Sequence, residues 1–521
     1  MSDAHFRIGI DVGGTNTDVV LMDGRTVLGS AKHFTTPDVK SGVVNAVRTV
    51  LDTTGIPIGS VRAVMIGTTQ FVNAFIERRG LEPVAAIRIA LPKGDGVPPF
   101  SGWPADAIEA VRGEIYMVGG GLLYTGQEYA PLDVDAIRAA ARDARARNIR
   151  SFAISGGFSP LCPQIEERAR AIVRDHVPDA FVTLSTELGG LGLLDRENAA
   201  IINASLAALA SRIVPALGRA IGELGIKAPM YLSQNDGTLI TADRAMTLPI
   251  LTCAAGPTNS IRGAAFLTGL TEAIVADIGG TTTDIGFLAR GFPRETATAN
   301  HIGGVRTNFR MPDLLSIGIG GGSIISEEGG GTVVGPTSVG HRLPAEGLVF
   351  GGATLTATDI AVRAGHAEIG DPGLVAHLPP SLVDAAVETI HLRIEEAIDQ
   401  IKTNAAPMPL VLVGGGHILV NRPLNGVSKV VRPDHAAVAN AVGAAIALAS
   451  GRIDKMYDVK TLGRDAVIKL ATGEAIAAAV EAGAQADAVD VIELVELPMT
   501  HMQDGAVQVK VRAVGPIAAF A

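Results

Sequence analysis

The chain has 521 residues, 47% of them apolar, 18% charged and 4% aromatic, with a formal net charge of −10. The acidic balance, the lack of any basic run of about five residues and the scarcity of aromatic stacking surface exclude a nucleic-acid binder. Mean hydropathy is +0.32, but no unbroken apolar run approaches the ~18 residues of a membrane span, so no membrane contact is expected.

Residues 7–10 read as a buried strand and residues 17–22 as its return after a glycine-rich turn. Asp23-Gly24 opens a tight turn into a third strand over 26–34. Val43, Val44, Val47, Val50 and Leu51 recur at helical spacing within 39–53, and 61–66 is a fourth strand running into Gly67-Thr68-Thr69 and a helix to about residue 79. Three antiparallel strands followed by strand–helix alternation is the order of a ribonuclease-H-like unit, which 136–148, 151–155, 164–175 and 181–184 continue as helix, strand, helix and closing strand. A helical bridge over 195–224 leads to a strand at 231–233, the turn Asn235-Asp236-Gly237 and a second glycine turn after the apolar run 274–276. The glycine-rich stretch from Gly320-Gly321-Gly322 to Gly340 reads as a mobile site loop at least as readily as a linker. A helix over 381–404, a strand over 410–413 ending in Gly414-Gly415-Gly416, and a small-residue helix over 436–450 follow. Strand signals at 491–495 and 508–514 with an alanine-rich helix suggest a small C-terminal appendage. The predicted domains are therefore 1–190, 191–450 and 451–521. Residues 1–6 show no signal peptide, and Cys162 and Cys253 supply neither metal-ligand spacing nor a disulfide framework, so a cytoplasmic location is expected.

The chemistry concentrates in a repeat. Asp11-Val12-Gly13-Gly14-Thr15-Asn16-Thr17-Asp18 recurs as Asp277-Ile278-Gly279-Gly280-Thr281-Thr282-Thr283-Asp284, identical at six of eight positions. Adjacent glycines let backbone approach an anion, and turn N–H groups with threonine hydroxyls suit phosphate oxygens. Two such turns at domain-scale separation point to a duplicated unit with a nucleotide phosphate tail between the halves. Gly13, Gly14, Thr15, Asn16, Gly279, Gly280, Thr281 and Thr282 are the expected phosphate cradle, and Gly414, Gly415 and Gly416 the expected adenosine loop. Asp11 and Asp277 are the candidate catalytic carboxylates and the candidate holders of Mg²⁺, directly or through water. Asp18 and Asp284 are read as serving hairpin geometry. Thr68, Thr69 and Asn73 sit where a strand meets a helix and are candidate substrate contacts, although Thr69 equally suits a helix N-cap. No Lys-containing phosphate loop is present, so charge neutralisation is expected from metal and backbone. The histidines lack the spacing of a helical zinc pair, His417 alone standing near a glycine loop, and Ser323 has no partners for nucleophilic catalysis.

These turns resemble those of the actin-like ATPase superfamily. Within it the chain resembles the hydantoinase/oxoprolinase family, through Gly67-Thr68-Thr69 with residues 73–80, Asp195-Arg196-Glu197-Asn198 with Asn203-Ala204, Gln234-Asn235-Asp236-Gly237, Ala255-Gly256-Pro257 and residues 317–323. The segment Ala255-Gly256-Pro257-Thr258-Asn259 departs from the commoner family pattern Ser-Gly-Pro-Ala-Gly. The resemblance covers most of residues 6–450. It implies an α/β fold of duplicated ribonuclease-H-like domains facing a nucleotide cleft, with ATP and Mg²⁺ as cofactors. It further implies ATP-dependent opening of a cyclic amide or ureide such as a hydantoin, lactam or 5-oxoproline by phosphorylation of its carbonyl oxygen, together with a second hydantoinase-type subunit in an oligomer. A small-molecule kinase or ketone-carboxylase subunit is the alternative on the same clamp, and a nucleotide-gated interaction protein a second one.

Overall fold

Ile8, Ile10 and Val12 alternate with Gly9 and Asp11 along the strand Phe6–Val12. One face of the strand therefore enters an apolar core with Val43, Val47 and Val50 of the helix Val39–Thr54, and the other is left for close backbone approach and a carboxylate. Each fully buried aliphatic side chain here contributes roughly 1.5–3 kcal/mol. The computed structural model describes residues 6–35, 39–123, 126–296, 300–309, 311–329, 331–499 and 506–518.

Two sheets carry the glycine turns. In the first, Thr26–Phe34, Asn16–Asp23, Phe6–Val12, Val61–Thr68 and Met230–Ser233 lie side by side, the first three antiparallel and the last two parallel to Phe6–Val12. In the second, Thr283–Ala289 returns antiparallel beside Ala273–Ile278, and Leu314–Ile317 pairs antiparallel with it on its outer side. Met408–Val413 and Val427–Val431 extend that sheet in parallel. The strand pattern around each turn is thus the same.

Four sequence expectations change. Ser151–Gly156 and Phe181–Leu184 do not close the first sheet; with Val84–Leu91 and Glu114–Gly119 they form a separate four-stranded parallel sheet. Strand–helix alternation is the signature of any parallel sheet and does not say which sheet a strand joins. The region 436–450 is not one helix but a short 3₁₀ turn, the helix Ala439–Ala445 and the start of the strand Ala449–Asp458. That strand, with Ala506–Gly515 and Asp490–Pro498, joins through the short strand Leu239–Thr241 to extend the first sheet to nine strands, so residues beyond 451 do not stand apart as an appendage. Pairing with Leu239 and Gly515 at Ala449 overrides the helical preference of the small residues. The stretch from 320 to 340 is likewise a hairpin of Ser323–Glu328 and Gly331–Ser338 rather than a mobile loop.

Two helices, Ala255–Thr268 and Ala439–Ala445, lie between the two sheets. Ile261 and Ala264 pack on Val275, Leu288, Val411 and Val413 of the second sheet, while Ala441, Val442 and Ala445 pack on Val20 and Met22 of the first. The helices touch backbone to backbone: a Cβ on Gly263 would collide with the Ala439 carbonyl, and one on Gly443 with the Asn259 carbonyl. The bridge expected over 195–224 is a pair of helices, Leu193–Ser205 and Ala207–Glu223, bent by 57°. Among the described residues no single helix is long and apolar enough to cross a membrane.

Candidate functional site

The two repeats fold alike. Gly13 N–H donates to Asn16 O at 3.0 Å and Gly279 N–H to Thr282 O at 2.9 Å, the same bond closing each turn. The first turn is braced by Thr35, whose Oγ1 donates to Gly13 O at 2.8 Å. The second is braced by the triplet Gly320–Gly322: Gly321 N–H donates to Gly279 O at 3.0 Å and Gly322 N–H to Gly280 O at 2.7 Å. The turn tips meet, since a Cβ on Gly280 would stand 3.7 Å from Thr15 Cγ2 and 3.9 Å from its Oγ1. Among the described residues the N–H groups of Gly14, Thr15, Gly280 and Thr281 have no acceptor. Facing tips with unclaimed N–H groups have the geometry in which backbone can accept an anion.

The third loop joins them. Gly416 N–H donates to Ile278 O at 2.7 Å, and Gly414, at φ +81°, lies so close that a Cβ would collide with Asp277 Oδ1. Gly415 has open space around it. The ring of His417 turns back on this loop, its Nδ1 lying 2.9 Å from Gly414 O.

Asp11 and Asp18 face each other across the first hairpin and both are buried. A single amide nitrogen, Asn440 Nδ2, donates to Asp11 Oδ2 and Asp18 Oδ2 at 2.9 Å each, and Lys32 Nζ stands 2.6 Å from Asp18 Oδ1. Asp277 Oδ2 accepts from Ser260 Oγ at 2.5 Å, and Asp284 accepts from Ser316 Oγ. Burial pushes the Asp11 carboxyl up to about 7, reinforced by the Asp18 and Asp277 charges and opposed by Asn440 and Lys32. Burial also raises Asp277, against the Ser260 hydrogen bond and the Lys32 charge, and lifts Asp284 to about 6. Asp18, expected to serve only hairpin geometry, is therefore part of the same charge cluster as Asp11.

Thr68, Thr69 and Asn73 lie beside the first turn. Thr69 N–H donates to Val12 O at 3.3 Å, and Asn73 Nδ2 would be 3.9 Å from a Cβ on Gly14. Thr69 holds the N-cap position of the helix Gln70–Ile76 without a side-chain capping bond; its Oγ1 accepts from Asn73 Nδ2 at 3.3 Å instead. Thr68 is buried and accepts from Gln70 N–H at 3.2 Å. Ser323 Oγ accepts from Gly320 N–H at 2.8 Å, a loop-fixing role. Among the described residues no cluster of three His, Cys, Asp or Glu side chains forms a metal site by itself.

Sequence reasoning missed Asn440, Lys32 and Ser260. Asn440 left a trace, being the polar interruption of an otherwise apolar small-residue run. Lys32 supplies the cation that the missing phosphate-loop lysine left unassigned, but it arrives from the third strand through pairing with Asp18. In the segment Asp195-Arg196-Glu197-Asn198 the side chains of Arg196, Glu197 and Asn198 make ties to residues other than those of the glycine turns. Glu197 pairs with buried Arg88 and accepts from Ser155 Oγ at 2.6 Å, and Arg196 Nε donates to Ser185 Oγ at 2.7 Å. Asn198 Oδ1 accepts from Trp103 Nε1 at 2.8 Å.

Residues 7–177 match the family model for the hydantoinase/oxoprolinase N-terminal region, and residues 196–370 the model for hydantoinase/oxoprolinase. Caprolactamase subunit alpha of Pseudomonas jessenii is 28% identical over 436 residues, which is 79% of this chain and 62% of that protein. The acetophenone carboxylase gamma subunit of Aromatoleum aromaticum is 28% identical over 398 residues, 70% of this chain and 54% of that protein. The chain thus spans only 54% to 62% of the length of these two relatives. The crystal structure of ATP-dependent caprolactamase from Pseudomonas jessenii superposes with a TM-score of 0.77 at 21% identity, over 98% of this chain and 88% of that one. Nucleotide-free acetone carboxylase gives 0.71 at 19% identity, over 99% and 89%. The two solved structures share the fold, the two family models together match more than half of the sequence, and the chain belongs to the hydantoinase/oxoprolinase family.

Proposed function

We propose that this chain is an ATP-dependent enzyme that opens a cyclic amide or ureide, such as a hydantoin, lactam or 5-oxoproline, by phosphorylating its carbonyl oxygen, working with a second subunit. The observation that carries the reading is the meeting of the two turns, with Thr15 against Gly280 and the carboxylates of Asp11 and Asp277 behind them. The repeated strand order around the turns supports duplicated ribonuclease-H-like domains facing a nucleotide cleft.

The residues fit a magnesium nucleotide. The unclaimed N–H groups of Gly14, Thr15, Gly280 and Thr281 would hold phosphate oxygens, with the neighbouring Gly13, Asn16, Gly279 and Thr282 shaping the turns. Asp11 and Asp277 would hold the cation, directly or through water. Gly414, Gly415 and Gly416 would border the adenosine. When bound, this group supplies a transferable phosphoryl group. Amide resonance makes an unstrained lactam carbonyl a poor electrophile, so the chain must align that carbonyl oxygen and disperse charge. Thr68, Thr69 and Asn73 line the approach beside the first turn and would orient the substrate; Asn440 and Lys32 hold the carboxylates in place.

Phosphate release measured with a panel of hydantoins, lactams and 5-oxoproline tests the reading, with chromatography for the ring-opened acid. Substrate-stimulated release is expected; none from the chain, alone or with its partner subunit, overturns it. Ketone activation within a carboxylase is a second reading, favoured by relatives named as acetophenone and acetone carboxylase subunits. Carboxylated product from a ketone and bicarbonate, without ring opening, would select it.

A further inference from the structure

Beside Asp11 lies a group of buried polar atoms without partners among the described residues. Asp11 pairs with Gly67 on one side, and on the other Leu232 pairs with Ile66, which brings Ser233 beside Gly67. Gly9, Met65 and Tyr231 face the helix Ala439–Ala445, so Asp11, Gly67 and Ser233, two residues further along each strand, share that face. Asn259 of the helix Ala255–Thr268 covers them. Asp11 Oδ1, Ser233 Oγ and both amide atoms of Asn259 are buried, and none has a hydrogen-bond partner among the described residues. A Cβ on Gly67 would stand 2.5 Å from Asp11 Oδ1 and 2.7 Å from Asn259 Nδ2, so the two groups face each other over the glycine, and any side chain there would fill the space between them.

Four buried polar atoms without partners on three neighbouring residues call for an occupant. It must accept from the Asn259 amide and donate to the Asp11 carboxylate at once. A water does both and needs two to four polar partners, which Asp11, Asn259 and Ser233 supply; a cation would meet the Asn259 N–H head on. We propose that one internal water bridges Asp11 and Asn259 above Gly67, donating to Asp11 Oδ1 and accepting from Asn259 Nδ2, with Ser233 completing its bonds, and that Asn259 and Ser233 thereby act as positioning residues for Asp11. Asn440 fixes one carboxylate oxygen directly, and the water fixes the other. The catalytic half of this inference rests on the function proposed above; the water itself does not.

A crystal structure of the nucleotide-free chain at about 1.5 Å, grown at about pH 8 so that Asp11 is ionised, should show a water within hydrogen-bonding distance of Asp11 Oδ1, Asn259 and Ser233. No water between these groups, or an anomalous peak there after a thallium soak, overturns the assignment. Asn259→Leu keeps the shape and removes both amide groups. With the water in place it should lower Tm and abolish the density; if the amide faces only protein, removing two unsatisfied groups should raise Tm instead. Ser233→Ala should weaken the density without removing it. In the working enzyme both variants should lower kcat, Asn259→Leu about tenfold, and leave the nucleotide KM unchanged. Equal loss through KM overturns the positioning role. A chain that shows the water and the lowered Tm but no turnover with any substrate refutes the proposed function and leaves the site standing.

Discussion

The two glycine hairpins are nearly the same in sequence and differ in what surrounds them. The residue paired with the second aspartate of each repeat is Lys32 opposite Asp18 but Ser316 opposite Asp284. The helix partner differs too: Asn440 bridges Asp11 and Asp18, whereas Ser260 serves Asp277 alone. One hairpin thus has a cation and a shared amide, and the other has two separate hydroxyls. A repeated motif supplies equal backbone cradles, and side chains from distant elements make the two carboxylate pairs unequal.

The largest effect should come from Asp11→Asn and Asp277→Asn. Each keeps side-chain size and removes a charge from the cleft, so ATP turnover should fall at least ~100-fold, about 2.7 kcal/mol of transition-state stabilisation, with folding retained. Asp23→Asn, in the turn outside the cleft, should behave like the parent chain. Steady-state phosphate release with circular dichroism reads both, and parental turnover in both cleft variants breaks the pairing of the hairpins.

Stability separates the two sides. Asn440→Leu removes the donor shared by two buried carboxylates and should cost about 2–4 kcal/mol, against about 1–2 kcal/mol for Ser260→Ala, in denaturant unfolding. Equal costs would erase the asymmetry.

The pH dependence follows from Asp11. Its folded value of about 7 lies above the ordinary 3.8, so between these values the folded chain holds a proton that the unfolded chain has lost. The stability this contributes to the nucleotide-free chain is full below about pH 4 and is lost as pH rises through about 7. An asparagine cannot titrate, so the melting temperature of Asp11→Asn relative to the parent should climb between about pH 4 and 7. A difference that stays flat across that range removes Asp11 from the account. The smallest effect is expected for Ser316→Lys, which copies Lys32 into the second hairpin. It should lower the Asp284 midpoint by about one pH unit in a carbon NMR titration.

The local parts of this arrangement were legible in the sequence. The turns, their flanking strands and the third glycine loop follow from short-range patterns, and the structure brings Gly414 up to Asp277 and Thr15 up to Gly280. What escaped was long-range. Asn440 reaches Asp11 across most of the chain, and the strand Met230–Ser233 joins the first sheet only after the four-stranded sheet has been inserted. Neither has a local periodicity to betray it. The segment Asp195–Asn198 shows the converse limit: a family motif of charged residues that the fold uses as buried ties, since Arg196 and Glu197 are shut away from solvent. Removing one partner of the Arg88–Glu197 pair alone leaves an uncompensated buried charge, a loss of about 3–5 kcal/mol.

The backbone contacts at Gly263 and Gly443 have a mechanical meaning. Sliding one helix along the other would drive carbonyl oxygens into Cα atoms, because no side chain stands between them to yield. Turning about the contact needs no such collision. A relative rotation of the two sheets would therefore turn on this helix contact, with the sheets as levers whose short arms end at Thr15 and Gly280. A few degrees of rotation there would open or shut the gap between the turn tips while both cores stay packed.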